Sequence, residues 1–489
     1  MTLTRPSPST LISPGDDVNA VVTAGAAGTT YWFAAGQHWE AFSSPKTGDS
    51  FLGELGATLS GTKQLVGPTF DGTNYFYTGQ TQDLGDIGTP FCLVSYPLCG
   101  QPEDLWIDGV FQKRVGSVGA LSAGKWYFDK ATDVIYIRDN PTGKTVETST
   151  KARCFNGSAT GVTVKNLKIE KYATNAQEAM NPSGLSDWTF RNNDIGYCHG
   201  MNLRTGSNCV IVDNYIHHAS QLGVGGGGTN VVIEHNEIAY NNRQFELGWE
   251  GGGSKFVATV GIILRKNYAH HNLGPGLWLD INNHGYLVED NTCDDNYSAG
   301  EGVTVTGAAS PGIMVEISGG GVIRNNACRR NCLDFTEYLW GAGILIASSG
   351  ASAAVTVPTV GSITGIEIYG NVVGGNAGEE NAHGISLIDS GRTDSLPTPW
   401  GENYHRIENV NVHNNTIRVG ITGGVYGLSG AAADGTGPEV FTSRNNRFEA
   451  NTYFTKTDTN HLAWDGSQRT FASWQTYGND TPVGSCTVF

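Results

Sequence analysis

The sequence predicts an all-β solenoid, and three observations carry that prediction. Asparagines recur at 166, 193, 214, 236, 267, 291, 326, 371, 415 and 446, each closing a short strand-like segment, with shortest spacings of 21, 22 and 24 residues. Most are followed two residues later by an apolar side chain or a cysteine, as in Asn214-x-Ile216 and Asn291-x-Cys293. Glycine supplies 67 of the 489 residues and few segments carry a 3.6-residue apolar period, so turns outnumber long helices. Self-similarity at this period marks stacked coils, each burying its apolar face only against its neighbours.

The elements follow in order. Residues 1–65 read as an N-terminal cap and first coils: a short helix-like stretch after I-S-P-G-D-D-V, then strands in T-T-Y-W-F-A-A-G-Q-H-W and E-L-G-A-T-L-S-G, each ended by glycine. Residues 66–150 change to hairpin material, with L-W-I-D-G-V-F at Leu105–Phe111 and two aromatic-rich strands within Lys125–Ile137 joined by a turn at Lys130–Asp133. They form a small inserted β subdomain. Residues 151–451 hold the repeat, about ten coils from Val162 onward, and residues 452–489 are a C-terminal cap. A second asparagine often comes five residues after the first, at Asn241, Asn272, Asn296, Asn331, Asn376 and Asn451. Asparagine tolerates a left-handed corner, and its amide can bond the asparagine above and below.

A net charge of −16 disfavours nucleic acid and anionic membranes, which call for a basic patch. The first thirty residues hold no signal-type apolar core, and no stretch reaches the ~20 apolar residues of a membrane span. A virion surface, the cytoplasm and secretion by a route not encoded here all stay open. Nine cysteines include no zinc-type CxxC pair. Cys92 and Cys99, close in sequence, are the one candidate pair for a disulfide, which the sequence alone leaves open, and the others are expected to be buried thiols.

The chemistry is expected at G-L-W-L-D-I-N (Gly276–Asn282) and G-I-M-V-E-I-S (Gly312–Ser318). A two-residue alternation puts Leu277, Leu279 and Ile281 on one face, as it does Ile313, Val315 and Ile317, so Asp280 and Glu316 point outward. Aligned by their glycines, successive strands offer Arg204, Gly227, Asp280, Glu316, Ala347 and Ile388 at that outward position. Trp278 and Met314 lie two residues earlier, and Asn282 and Ser318 two later. Neighbouring strands would set the two carboxylates roughly 5 Å apart at the backbone. A close acid pair beside an aromatic ring and amide groups suits a sugar ring.

Four insertions, Phe245–Val260, Ala299–Pro311, Ser348–Ile363 and Ser390–Tyr404, cluster around these strands and are expected to wall a groove. Glu246, Trp249, Glu250, Lys255, Trp278, Asn282 and Trp340 are the expected substrate contacts. The paired histidines His217/His218 and His270/His271 read as surface ladders, since the sequence positions no third metal ligand. The arrangement requires no cofactor.

From Val162 to about Asn451 the sequence resembles the right-handed parallel β-helix (pectin-lyase-like) superfamily. The pair G-L-W-L-D-I-N and M-V-E-I-S resembles the motif pair of β-helical glycoside hydrolases that include a β-xylosidase family. That resemblance implies Asp280 as nucleophile and Glu316 as acid/base, acting on a glycan substrate or a cell-surface polysaccharide. Two other classes resemble the chain at the level of the scaffold. One is the phage tail or tailspike protein, which implies receptor binding or glycan depolymerisation in a homotrimer or virion assembly. The other is the polysaccharide lyase or epimerase, for which Lys255 and Arg392 would be the basic residues; the net negative charge and the lack of a D-P-H-type motif or a G-G-x-G-x-D calcium repeat argue against it.

Overall fold

A computed structural model describes residues 4–88, 91–247, 250–298, 309–334, 337–348, 365–390, 406–420, 427–433, 437–456 and 459–489. Its contacts divide the chain into two units, one of Met1–Val224 with Asn242–Glu250 and the other of Gly225–Asn241 with Gly251–Phe489.

In the first unit, the helix Val18–Ala24 starts at Asp17, whose side chain accepts the Ala20 N–H. Strands Thr30–Phe33, Ser50–Gly53, Thr163–Lys165, Thr189–Arg191 and Val210–Val212 then stack in parallel and in register. The pairing steps from Ser50–Gly53 straight to Thr163–Lys165, and from Ala57–Ser60 straight to Lys168–Glu170, so the chain leaves these two sheets after Ser60 and rejoins them at Thr163. Thr62–Ser149 holds an eight-stranded sheet of mainly antiparallel pairs around Leu105, Trp126, Phe128, Ile135 and Ile137. Buried polar contacts tie this sheet to the coils: His199 Nδ1 lies 3.0 Å from Asp104, and Lys171 pairs with Glu147. Cys92 and Cys99, the pair left open by the sequence, form a disulfide.

In the second unit the coils carry three parallel sheets. The first runs through Val232–Glu234, Ile263–Arg265, Leu287–Glu289, Gly321–Arg324, Ile366–Tyr369 and Val410–His413. The second runs through Glu237–Ala239, Tyr268–His270, Thr292–Asp294 and Ala327–Arg329. A strand three residues long points its middle side chain into the coil. Ile233, Leu264, Val288 and Ile323 fill that place in the first sheet, and Ile238, Ala269, Cys293 and Cys328 in the second, all fully buried. On the outer face of the first sheet Glu234, Arg265, Glu289 and Arg324 follow one another. Arg265 reaches Glu234 at 2.8 Å and Glu289 at 3.5 Å, and Arg324 reaches Glu289 at 2.6 Å.

The corner between these two sheets is an asparagine row. The Nδ2 of Asn236, Asn267, Asn291 and Asn326 donates to the Oδ1 of the next asparagine at 2.9–3.1 Å, and the row continues through Asn371 and Asn415 to Asn451. Three expectations need correction. The left-handed residue is the one before each ladder asparagine, His235, Lys266, Asp290 or Asn325, because the asparagine itself must keep its side chain inside the corner. Asn451 rather than Asn446 holds the later place in the row; Asn446 instead bonds Val410 N–H and Ile407 O. In the second row, Asn241–Asn272–Asn296–Asn331 continues to Asn381, while Asn376 pairs with Glu379 in an exposed turn.

Asp480 ends the first row. Its Oδ1 accepts Asn451 N–H and Nδ2, and its Oδ2 accepts Tyr453 OH and Trp474 Nε1–H. Both oxygens must accept, which explains an aspartate at the end of a row of asparagines. Asp480→Asn would turn an NH2 group toward the indole N–H, and should lower stability by about 1–3 kcal/mol, read as a lower thermal midpoint.

Candidate active site

The third sheet of the second unit places the candidate residues. Leu277–Asp280 pairs in parallel with Ile313–Glu316, with Trp278 opposite Met314 and Asp280 opposite Glu316. The second asparagine row fixes this register. A Cβ on Gly276 would stand 2.9 Å from Asn296 Nδ2 and 2.7 Å from Gly312 O, and one on Gly312 would stand 2.9 Å from Asn331 Nδ2. Only glycine fits where the corner asparagine packs, so each of these strands begins with one.

Leu277, Leu279, Ile313 and Val315 face the interior and are 0–1% exposed. Ile313→Ala should therefore cost about 2–5 kcal/mol, measurable by urea unfolding. The alternation stops at the acids. Ile281, Asn282 and Ile317 have left-handed φ of 49°, 65° and 45°, so the chain turns there and Ile281 and Ile317 are half-buried rather than core residues. Ser318 likewise belongs to a corner row, accepting from Asn283 Nδ2, which also donates to Asp280 O.

The outward column is not a solvated surface. Asp280 is 5% and Glu316 6% exposed, and Trp278 and Met314 are equally buried. Trp278, Met314, Leu339, Leu345, Ala347 and Ile388 form one apolar cluster, against which the half-buried Trp340 packs. Trp278 and Trp340 thus share a side of the sheet.

The strand before Asp280 also differs from expectation. Gly252–Val260, read from sequence as part of an insertion, is a nine-residue strand of this sheet, and Val257 rather than Gly227 is the register partner of Asp280. Ser254 stands at the inward position where other strands carry an apolar residue, its hydroxyl bonded to Gly276 O at 3.2 Å. The register puts Lys255 opposite Trp278 and diagonal to Asp280. Its Nζ lies 2.8 Å from Asp280 Oδ2 and 4.0 Å from the centroid of the Trp278 ring, so the indole face expected to stack on a sugar is covered by a cation.

Asn282 is buried, and its Oδ1 accepts from His284 Nε2 at 2.5 Å; burial lowers the His284 pKa and favours its neutral form. Glu246 and Glu250 lie in the first unit, Glu246 exposed and Glu250 half-buried with a left-handed φ of 59°. Trp249 and Arg392 fall outside the described residues, as do 299–308, 349–363 and 391–404 of the expected insertions.

The histidine pairs are repeated corner devices. His217 Nδ1 meets His218 Nδ1 at 2.7 Å while its Nε2 meets Asp194, and His270, His271 and Glu237 repeat the arrangement. Burial pushes the His218 pKa down to about 4. Among the described residues no group of three or more His, Cys, Asp or Glu side chains could hold a metal ion. None of the described helices is long and apolar enough to cross a membrane.

A family model described as "Right handed beta helix region" matches residues 179–371. No curated protein sequence matches the chain. Among solved structures, XylC in complex with xylose is similar over 96% of this chain and 83% of its own, at 14% identity and a TM-score of 0.66. The A-module of the Azotobacter vinelandii mannuronan C-5 epimerase AlgE6 covers 96% and 93% at 14% identity and a TM-score of 0.45. The tailspike gp61 of Pseudomonas phage phi297 covers 92% and 68% at 10% identity and a TM-score of 0.37. With parallel in-register sheets, stacked asparagine corners, the family-model match and the similarity to XylC, the chain is a right-handed parallel β-helix of the pectin-lyase-like fold.

Proposed function

We propose that the protein cleaves a glycosidic bond with retention of configuration, with Asp280 as nucleophile and Glu316 as general acid/base. The observation that carries this reading is the in-register pairing of Asp280 with Glu316 on adjacent parallel strands, both nearly buried. Adjacent strands run ~4.8 Å apart, close to the ~5–5.5 Å between carboxyl groups that suits direct attack and too close for an intervening water. XylC, whose fold is similar, was solved with xylose bound, which supports a sugar as ligand.

The charges support these roles. An ammonium 2.8 Å away favours the ionised form of Asp280, and an ionised Asp280 disfavours a second charge beside it on Glu316. Asp280 then attacks the anomeric carbon as Glu316 gives its proton to the leaving oxygen. In the second step Glu316 takes a proton from water, which displaces Asp280 from the sugar. A lyase would need a free basic residue at the sugar. Lys255 fits that role poorly, because it is engaged by a carboxylate and an indole face.

A screen of aryl glycosides and bacterial-surface polysaccharides, followed by NMR of the first-formed anomer, tests the proposal. Release of a sugar with retained configuration supports it, and inversion or an unsaturated product overturns it. Binding without cleavage would favour a receptor-binding role of the phage-tail kind.

A further inference from the structure

We propose that Lys255 is the positioning residue of this site: held between the Trp278 ring and the Asp280 carboxylate, it keeps the nucleophile charged and aimed, and leaves the Trp278 indole N–H to meet the sugar. The inference rests on the glycosidase reading and adds two roles to it.

The first role follows from how costly the arrangement is. Lys255 and Asp280 are each 7% exposed at the side chain, and taking two charges out of water is repaid only by close, well-oriented contact. The fold does not require charge at these positions. Farther along the same two outward columns stand Met314 with Leu345 and Ala347 with Ile388, which stack without any ion pair. The pair occurs where an anion is needed for attack. Lys255 is also fixed from two sides, since a cation over an indole face is attracted by the ring quadrupole. A lysine so held sets the direction of the Asp280 carboxylate, and attack tolerates little error in that direction.

The second role follows from an unsatisfied donor. Trp278 Nε1 is buried and has no hydrogen-bond partner among the described residues, a costly state for an N–H group. With one ring face covered by Lys255, the polar edge of Trp278 is what it can offer to a ligand. A hydroxyl or ether oxygen of a sugar is an acceptor of the right kind.

The test uses the full chain and the aryl glycoside found by the screen. Lys255→Met should lower kcat by about 10²-fold with KM little changed, and should move the acid limb of kcat/KM to higher pH. The sign follows because the ammonium favours ionised Asp280, so without it the carboxyl holds its proton to higher pH. Lys255→Arg should restore most of the rate and the original limb. Trp278→Phe keeps a ring for Lys255 but removes the N–H, and should raise KM without moving the acid limb.

An unshifted acid limb in Lys255→Met, or a rate loss that arginine does not rescue, would reduce Lys255 to packing and overturn the inference. Unfolding of wild type, Lys255→Met, Asp280→Asn and the double variant gives a second reading that needs no activity. Strong coupling supports the clamp; additive effects overturn it, including where Lys255→Met is too unstable to assay. If the wild type cleaves nothing while the coupling is present, the proposed function fails, and the catalytic role of Lys255 fails with it, leaving a structural ion pair.

Discussion

Glu316→Gln should slow cleavage of natural glycosides by on the order of 10²–10⁴-fold, the range expected when a general acid is lost. It should spare the first step on substrates whose leaving group departs without a proton, such as dinitrophenyl glycosides, because Asp280 can still attack. Asp280→Asn should show no such dependence on the leaving group, since an amide in its place gives no covalent intermediate. Stopped-flow release of the aryl group separates the two cases. Equal losses across leaving groups in both variants would mean that neither residue acts as the acid. Full activity in both would move the chemistry away from this column.

The second large effect concerns stability. Asn291 is 1% exposed and stands mid-row: its Oδ1 accepts from Asn267 N–H and Nδ2, and its Nδ2 donates to Leu264 O and Asn326 Oδ1. Asn291→Ala would orphan the Asn267 backbone N–H and one Asn267 amide proton, both inside a coil that offers no substitute. With each buried unsatisfied group costing about 1–3 kcal/mol, a total loss of at least about 2 kcal/mol is expected. Thermal and urea midpoints should fall together. Asn376→Ala is the control, because its amide pairs with Glu379 in an exposed turn.

The register of the site was legible in the sequence because corner chemistry writes it into the glycines. Gly276 and Gly312 mark the start of their strands since an asparagine amide packs against each, so aligning them aligned Asp280 with Glu316. Lys255 was named as a substrate contact but not placed in the sheet. Ser254 occupies the inward position where an apolar residue was the expected signal, and a hydroxyl bonded to a neighbouring carbonyl serves there as well. The turn at Ile281 was hidden because a β-branched residue rarely adopts positive φ. Burial of the outward column was not legible either. Two-residue alternation tells one face of a strand from the other but carries no information about what later covers them.

The row of alternating charge, Glu234, Arg265, Glu289, Arg324, has a consequence for folding. A solenoid of near-identical coils can misassemble by omitting one, so that a strand pairs with its second neighbour. The asparagine row is blind to that error, since every partner it could meet is another asparagine. The charges detect it: an omitted coil would set Glu234 against Glu289, or Arg265 against Arg324, and like charges directly opposed across a strand pair are destabilising. The alternation thus acts as a parity check on coil order, written on the surface of a stack whose interior cannot tell one coil from the next.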